Sequence, residues 1–263
     1  MMRLLKYIFV FLAFTSLIIL LNPDRSFSEV ADCKICHKFM ANKKYVHTAM
    51  QMGCTSCHTE AHQKKQKFPK GLSAASQDLC YLCHDKSKFA GKNIHMPVVS
   101  GMCSSCHDAH DSDATKLLKQ PQPDICFGCH DRKIVAGKFV HVPVAAGLCT
   151  SCHGAHVSES AALLSRPINN LCITCHKDQA TGRHVVSVPG KKFHPLKGVT
   201  DPNFPGKTMK VPDPKNPGKE IEVPDPKNPG KEMSCASCHN PHSSNFAKLF
   251  PSEKRCGRCH KEF

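Results

Sequence analysis

Two cysteines and a histidine recur in one fixed order along this chain, and their chemistry suits the covalent attachment of a metal-containing group. The sequence C-x-x-C-H occurs nine times in 263 residues and uses all 18 cysteines. Two thiols three positions apart can add to the two vinyl groups of a haem, and the histidine that follows is then held beneath the iron. The predicted attachment sites are Cys33, Cys36, Cys54, Cys57, Cys80, Cys83, Cys103, Cys106, Cys126, Cys129, Cys149, Cys152, Cys172, Cys175, Cys235, Cys238, Cys256 and Cys259. The predicted proximal ligands are His37, His58, His84, His107, His130, His153, His176, His239 and His260.

A C-x-x-C pair also occurs in sites that do not bind haem. Half of a zinc site, an iron-sulfur ligand set, a disulfide or a thioredoxin-like redox pair can all contain C-x-x-C. None of them requires histidine at the next position. Because histidine fills only 18 of 263 positions, nine such coincidences are not expected by chance. The pattern therefore predicts nine covalently attached haem c groups.

Nine further histidines match the number of predicted haems. They are His47, His62, His95, His110, His141, His156, His184, His194 and His242. Eight of them recur near haem motifs at similar offsets, which predicts that at least eight haems have histidine on both sides of the iron. Met96 is a competing axial ligand and would raise the reduction potential. A haem enzyme that binds substrate at iron needs an open axial position, so the histidine supply favours electron transfer over catalysis.

The motifs are arranged in an internal repeat. Residues 79–124 align without a gap on residues 125–170, a period of 46. Motifs that we call plain have no histidine soon after them and begin at Cys33, Cys80, Cys126, Cys172 and Cys256. Motifs that we call flanked have a histidine upstream and another just downstream, and begin at Cys54, Cys103, Cys149 and Cys235. The alternation predicts a repeat array in which each unit buries its haem faces against its neighbours.

Spacing along the chain suggests which histidine serves which iron. The downstream histidines are predicted to bind the next plain haem, so that His242 serves the motif of Cys256 and His62, His110 and His156 serve those of Cys80, Cys126 and Cys172. The upstream histidines, His47, His95, His141 and His194, are predicted to fold over the flanked haem that follows, because seven or eight extended residues span roughly 23–29 Å. This scheme leaves His184 unused and the haem of Cys33 without a distal ligand. Either His184 folds back to that haem, or it replaces His194 and a neighbouring molecule supplies the missing histidine.

Chain length limits the architecture to one built around cofactors. About 26 residues per haem is too little polypeptide for a layered apolar core, so the haems themselves must form the core. We expect a haem-dominated repeat array of mostly irregular chain, with short α-helices at the C-x-x-C-H turns and little or no β-sheet. The stretches "DSDATKLL", "SESAALL" and "SSNFAKLF" predict short helices that cover haem faces, with an exposed turn as the alternative.

An insertion interrupts the repeat after the fourth plain motif. Residues 197–234 are rich in proline and glycine, and "VPDPKNPGKE" occurs there twice with a period of 12 residues. Proline at this density excludes helix, and Asn-Pro-Gly-Lys suits a type II turn. The predicted organisation is therefore a signal peptide at 1–28, tandem haem repeats at 29–196, an extended arm at 197–234 and a terminal haem pair at 235–263. The arm could dock a partner or a neighbouring protomer, or be a tolerated surface loop.

The N-terminus is typical of an exported protein. Arg3 and Lys6 precede an apolar run over residues 7–21, and small residues allow cleavage near Ser28. The alternative is an N-terminal membrane anchor, although this run is shorter than the roughly 20 residues that span a bilayer. Export predicts a periplasmic or extracellular location, which is where c-type haem is attached.

The net charge of +15 does not predict a nucleic-acid partner. Nine haems would bring about 18 propionate charges that balance the lysines. Tryptophan is absent, aromatic residues make up 6% of the chain, and no basic stripe is interleaved with aromatics.

The alternation seen in "HVPVAAGLCTSCHGAH" and "SCASCHNPH" resembles the paired, or doubled, CxxCH multihaem cytochromes c. The resemblance implies an electron carrier of anaerobic or extracellular respiration, with a quinol-linked donor and a terminal reductase or outer-membrane conduit as redox partner proteins. It also implies possible self-association, because some related cytochromes polymerise. The alternatives are a reductase of a small oxyanion and a subunit of a polymeric cytochrome wire. The chain departs from the pattern at His62, which lies four rather than three residues after its proximal histidine, and at the insertion.

Overall fold

The computed structural model describes residues 32–181, 198–254, 256–257 and 259–260. The chain divides into two compact units, residues 1–42 and residues 43–263. In the described part of the first unit, the first C-x-x-C-H motif forms a 3-10 helix over Cys33–Ile35, and the Asp32 side chain accepts a hydrogen bond from the backbone N–H of Lys34. The second unit contains the other eight motifs. The predicted signal peptide lies outside the described residues.

The helices of the second unit are all short, as the sequence predicts for a chain without a layered core. The α-helices are α1 (Ser76–Tyr81), α2 (Met96–Val99), α3 (Cys103–Cys106), α4 (Asp124–Phe127), α5 (Val142–Ala145), α6 (Ile168–Cys172) and α7 (Cys235–Cys238). The 3-10 helices are Thr48–Met52, Cys54–Ser56, Pro69–Gly71, Lys86–Phe89, Thr115–Leu117, Arg132–Val135, Cys149–Ser151, Ala161–Leu163, Lys177–Thr181 and Ala247–Leu249. In α2 and α5 a proline follows the first residue, where its missing N–H has no helical partner to lose.

Strands of only two residues join successive repeats. The antiparallel pairs are β1 (Tyr45–Val46) with β3 (Asp111–Ser112), β2 (Asn93–Ile94) with β5 (Val157–Ser158), and β4 (Phe139–Val140) with β8 (Ser243–Ser244). Each pair brings the residues before an upstream histidine alongside the residues after the downstream histidine of the next flanked motif. These small ladders therefore decide which histidines become neighbours.

The predicted arm forms a β-hairpin. Strand β6 (Thr208–Pro212) pairs antiparallel with β7 (Glu220–Pro224). Between them the Lys219 N–H donates to the Asn216 carbonyl at 3.1 Å and Gly218 has a φ of 89°, as the predicted type II turn requires. The second copy of the turn sequence does not reverse the chain, because the Lys231 N–H donates across the hairpin to the Phe204 carbonyl.

The helices predicted after the flanked motifs are absent from the described residues at these positions. In their place are the strands β3, β5 and β8, each followed by a single 3-10 turn with backbone in the left-handed region, such as Lys116 and Leu117 at φ 57° and 56°. The reason is that the carbonyls of these turns and the serines before them make hydrogen bonds that a helix would not contain. The Ser112 hydroxyl donates to the Leu118 carbonyl and accepts from the Ala114 N–H, so it does not cap a helix.

The polypeptide alone encloses almost no apolar core. Among the described residues, Met233 is the one apolar side chain that is buried. Large apolar side chains beside the haem motifs are exposed instead, including Leu82 (76%), Met96 (67%) and Val142 (77%). This arrangement, with short helices and small two-stranded sheets, confirms the prediction of a haem-dominated fold. Within the described residues, no helix has both the length and the hydropathy needed to cross a membrane.

Candidate haem-binding sites

All nine C-x-x-C-H motifs form the same tight turn. In each, the histidine N–H donates to the carbonyl of the first cysteine at 2.8–3.1 Å, and no disulfide joins the cysteines of the described motifs. Residues three and four positions apart lie on one face of a helical turn. The two thiols and the imidazole therefore share one side of the turn, as attachment of a porphyrin through both thiols requires.

Proximal and distal histidines face one another at a distance that fits a metal ion. Six ring pairs lie within residues 47–242, with centroids 5.8–6.1 Å apart and interplanar angles of 12–34°. A first-row metal ion bonded to imidazole on both sides, with bonds of about 2.0 Å and nitrogens about 1.1 Å from each ring centre, would place the centroids roughly 6.2 Å apart. The pairs are His47 with His84, His58 with His110, His95 with His130, His107 with His156, His141 with His176, and His153 with His242.

This geometry shows that the distal assignment predicted from spacing is wrong for these six pairs. His47, His95 and His141 do not face the proximal histidine of the next flanked motif; His47 faces His84 of the following plain motif. The downstream histidines do not reach forward; His110 faces His58 of the preceding flanked motif. The physical reason is the register of the short ladders. Each ladder sets the position of a histidine through bonds to the opposite strand, so the motif nearest in sequence does not determine its partner.

The ladders place an upstream and a downstream histidine side by side. The His47 N–H donates to the His110 carbonyl at 2.8 Å, and the repeats contain the same bond at His95 and His141. The rings of the two neighbours then turn to different partners. Each ladder therefore supplies one ligand candidate to a plain motif and one to a flanked motif.

Backbone carbonyls orient seven of the histidine rings. The Nδ1 atoms of His47, His95 and His141 lie 2.9–3.0 Å from the carbonyls of Ala109, Ala155 and Pro241. The Nδ1 atoms of the flanked proximal histidines lie 2.7–2.9 Å from the carbonyls of Lys70, Lys116, Ala162 and Lys248. A proton on Nδ1 that is donated to a carbonyl leaves the Nε2 lone pair for a metal. Motif spacing did not predict these carbonyl partners, although a serine recurs at positions 112, 158 and 244, before three of the four turns.

Burial and neighbouring charged groups shift pKa values at and beside the downstream histidines. Burial lowers the pKa of His156 and of His242, with a further contribution from neighbouring histidines, which favours the neutral imidazole that binds metal. Burial opposes ionisation of Asp108, but hydrogen bonds from the N–H groups of His110 and Asp111 bring the pKa of its carboxyl below the usual value.

Attachment cysteines of successive motifs lie next to one another. Helix α1 contacts α3, and α6 contacts α7, where the Cys235 N–H donates to Asn169 Oδ1 at 2.9 Å. Burial and the nearby Cys149 thiol raise the pKa of Cys126 to about 11. A hydrogen bond from the Cys172 thiol lowers the pKa of Cys235 to about 7. Haems attached to these cysteines would therefore be neighbours, the haem of a plain motif beside that of the next flanked motif.

The remaining predicted ligands lie outside these six pairs or outside the described residues. His37, His62, His239 and His260 are described, and each has an interaction partner. His62 has a φ of 66°, which accompanies its unusual four-residue spacing. His184 and His194 lie outside the described residues.

A family model for the doubled CXXCH motif matches residues 47–89, 95–135, 141–181 and 228–263, which is more than half of the chain. The chain belongs to this family. Each of the first three matches begins at an upstream histidine and contains one flanked and one plain motif. The doubled CXXCH unit therefore contains one facing histidine pair, such as His47 with His84, and shares a second pair with the next unit. The search of curated proteins yields no match.

Membership confirms the predicted family and identifies this doubled CXXCH protein as a multihaem c-type cytochrome that functions in electron transfer. The described residues fit covalent haem: paired thiols on one face, imidazoles spaced for an iron ion, and exposed apolar side chains beside the motifs. The matched residues contain four motif pairs, and the motif of Cys33 precedes them.

Proposed function

We propose that this protein carries nine haems with histidine on both sides of the iron and passes single electrons along them. The observation that supports this most directly is the set of six facing imidazole pairs at 5.8–6.1 Å. When bound, haem supplies one-electron chemistry at low potential, because histidine in place of methionine keeps the potential low. The thiols fix the porphyrin position, and the imidazoles change little between oxidation states.

The order of the haems follows the order of the motifs. Neighbouring attachment thiols link Cys80 to Cys103, Cys126 to Cys149, and Cys172 to Cys235. The imidazole pairs link flanked motifs of adjacent units. This favours a continuous row of sites through the described repeats, with exchange partners at its ends. We infer that these partners are redox proteins of anaerobic or extracellular respiration, met after export of the chain.

The near-parallel imidazole planes lead to a spectroscopic prediction. For five of the six pairs the planes differ by 12–23°. Parallel planes remove the degeneracy of two iron d orbitals, so the oxidised protein is expected to give rhombic low-spin EPR signals. Electron paramagnetic resonance of the oxidised holoprotein tests this. A spectrum dominated by high-spin iron would contradict two-histidine ligation, and one dominated by highly anisotropic low-spin signals would contradict the plane angles.

The haem count has its own test. The intact holoprotein is expected to exceed the mass of its polypeptide by nine haem groups, and Cys33→Ala/Cys36→Ala should remove one. Cys80→Ala/Cys83→Ala, within the family match, is the matched control and should also remove one. Eight haems in the native protein, with no loss in the Cys33 variant, would show that the first motif does not bind haem.

A further inference from the structure

One position differs in charge between three otherwise equivalent sites. In the three flanked motifs whose downstream histidine lies three residues after the proximal one, the residue that follows the proximal histidine is Asp108, Gly154 or Asn240. Asp108 Oδ1 accepts from the His110 N–H at 2.9 Å, and Asn240 Oδ1 accepts from the His242 N–H at 3.1 Å. The two side chains therefore occupy the same place and make the same backbone contact. They differ in that the aspartate adds a negative charge.

That charge lies beside an axial ligand candidate. Asp108 Oδ1 is 3.6 Å from Nδ1 of His110, whose ring faces that of His58 with centroids 6.1 Å apart. The distance is too long for a hydrogen bond but short for a charge interaction. The Asp108 side chain is only 30% exposed, so solvent screens this interaction incompletely.

Carboxylates outnumber lysines among the residues of the ladder beside Asp108, although the Lys43 charge also acts on Asp108. Asp111 lies nearby, and the Lys43 ammonium is 3.3 Å from its carboxylate. A second pair, the Lys44 backbone N–H and the Asp113 carboxylate, lies at the edge of the same ladder. Three carboxylates therefore accompany two lysines here. The equivalent ladders contain one carboxylate with one lysine (Glu159, Lys92), and one lysine alone (Lys138).

A carboxylate beside an axial imidazole stabilises the oxidised, more positive iron over the reduced one. We propose that Asp108 lowers the reduction potential of the haem attached to Cys54 and Cys57 below those of the equivalent haems attached to Cys103 and Cys149. Electron transfer is then favourable from the Cys54 site to the sites of Cys103 and Cys149. This inference rests on the axial assignment proposed above.

A reciprocal exchange tests the proposal in the full-length holoprotein. Anaerobic redox titration followed by EPR should show one component shifted to higher potential in Asp108→Asn. The expected change in the reduced-to-oxidised ratio at fixed potential is twofold to tenfold, where tenfold corresponds to about 59 mV for one electron. Asn240→Asp should shift one other component to lower potential. Both exchanges are nearly isosteric and keep the backbone contact, so a purely structural role would move neither potential.

A third variant identifies the component and separates the two proposals. His110→Met should alter the spectrum of the same component that Asp108→Asn shifts. If His110→Met changes a component but Asp108→Asn shifts none, the role of Asp108 is overturned while the axial assignment stands. If His110→Met leaves every component unchanged, the axial assignment itself is overturned.

Discussion

Replacing His242 with methionine is expected to change the spectrum of the haem attached to Cys149 and Cys152, 90 or more residues earlier in the chain. The His242 ring faces that of His153 at 5.9 Å with an interplanar angle of 14°. Thioether ligation raises the potential of a haem relative to imidazole. Redox titration should therefore show one component leaving the low-potential group, and EPR should show the loss of one two-histidine signal.

Two background variants show which haem responds. In Cys149→Ala/Cys152→Ala the affected haem is missing, so adding His242→Met should cause no further spectral change. In Cys256→Ala/Cys259→Ala the haem that spacing alone assigns to His242 is missing, and the full effect should persist. The opposite result would restore the sequence-based assignment and reject the facing pair seen here.

Gly137→Ala is expected to destabilise the protein by about 1–3 kcal/mol, as overpacking does, and to disturb two haems at once. A Cβ atom at this position would lie 2.6 Å from the backbone nitrogen of Ser244 and 2.8 Å from its carbonyl carbon. Backbone atoms cannot move aside as a flexible side chain can, so β4 and β8 would have to separate. These strands hold His141 and His242 together through a 3.0 Å backbone bond. Thermal unfolding should show a lower midpoint, and EPR should show high-spin iron from two sites.

Gly128→Ala is the matched control. Its added Cβ atom would lie 3.4 Å from the Ile125 carbonyl oxygen, and its φ of −61° is open to any residue. This variant should keep its midpoint to within a few degrees and retain its low-spin spectrum. Equal destabilisation by both substitutions would mean that the β4–β8 contact does not position the histidines.

Local chemistry of the chain was predictable from sequence because it depends on neighbours within five residues. Each C-x-x-C-H turn closes through its own histidine N–H and cysteine carbonyl, so motif spacing alone predicts the shared face. The same holds for the type II turn at Asn216–Lys219, where proline and glycine restrict the backbone. The helix prediction at residues 111–118 failed because the Ser112 hydroxyl donates to the Leu118 carbonyl and so closes a turn instead.

Pairing of the histidines was decided by tertiary structure, because the facing rings lie 35 to 89 residues apart in sequence. A connecting chain of this length can span almost any distance within the molecule, so its maximum extension excludes few histidine partners. Several pairing schemes are therefore equally compatible with the sequence. The backbone bond between His47 and His110 selects one register, and a slip of one residue would turn the rings to the other face. Composition and spacing determined that this chain binds haem through cysteine and histidine. The register of three two-residue ladders decided which histidines face each other, because each ladder fixes an upstream histidine of one repeat beside a downstream histidine of another.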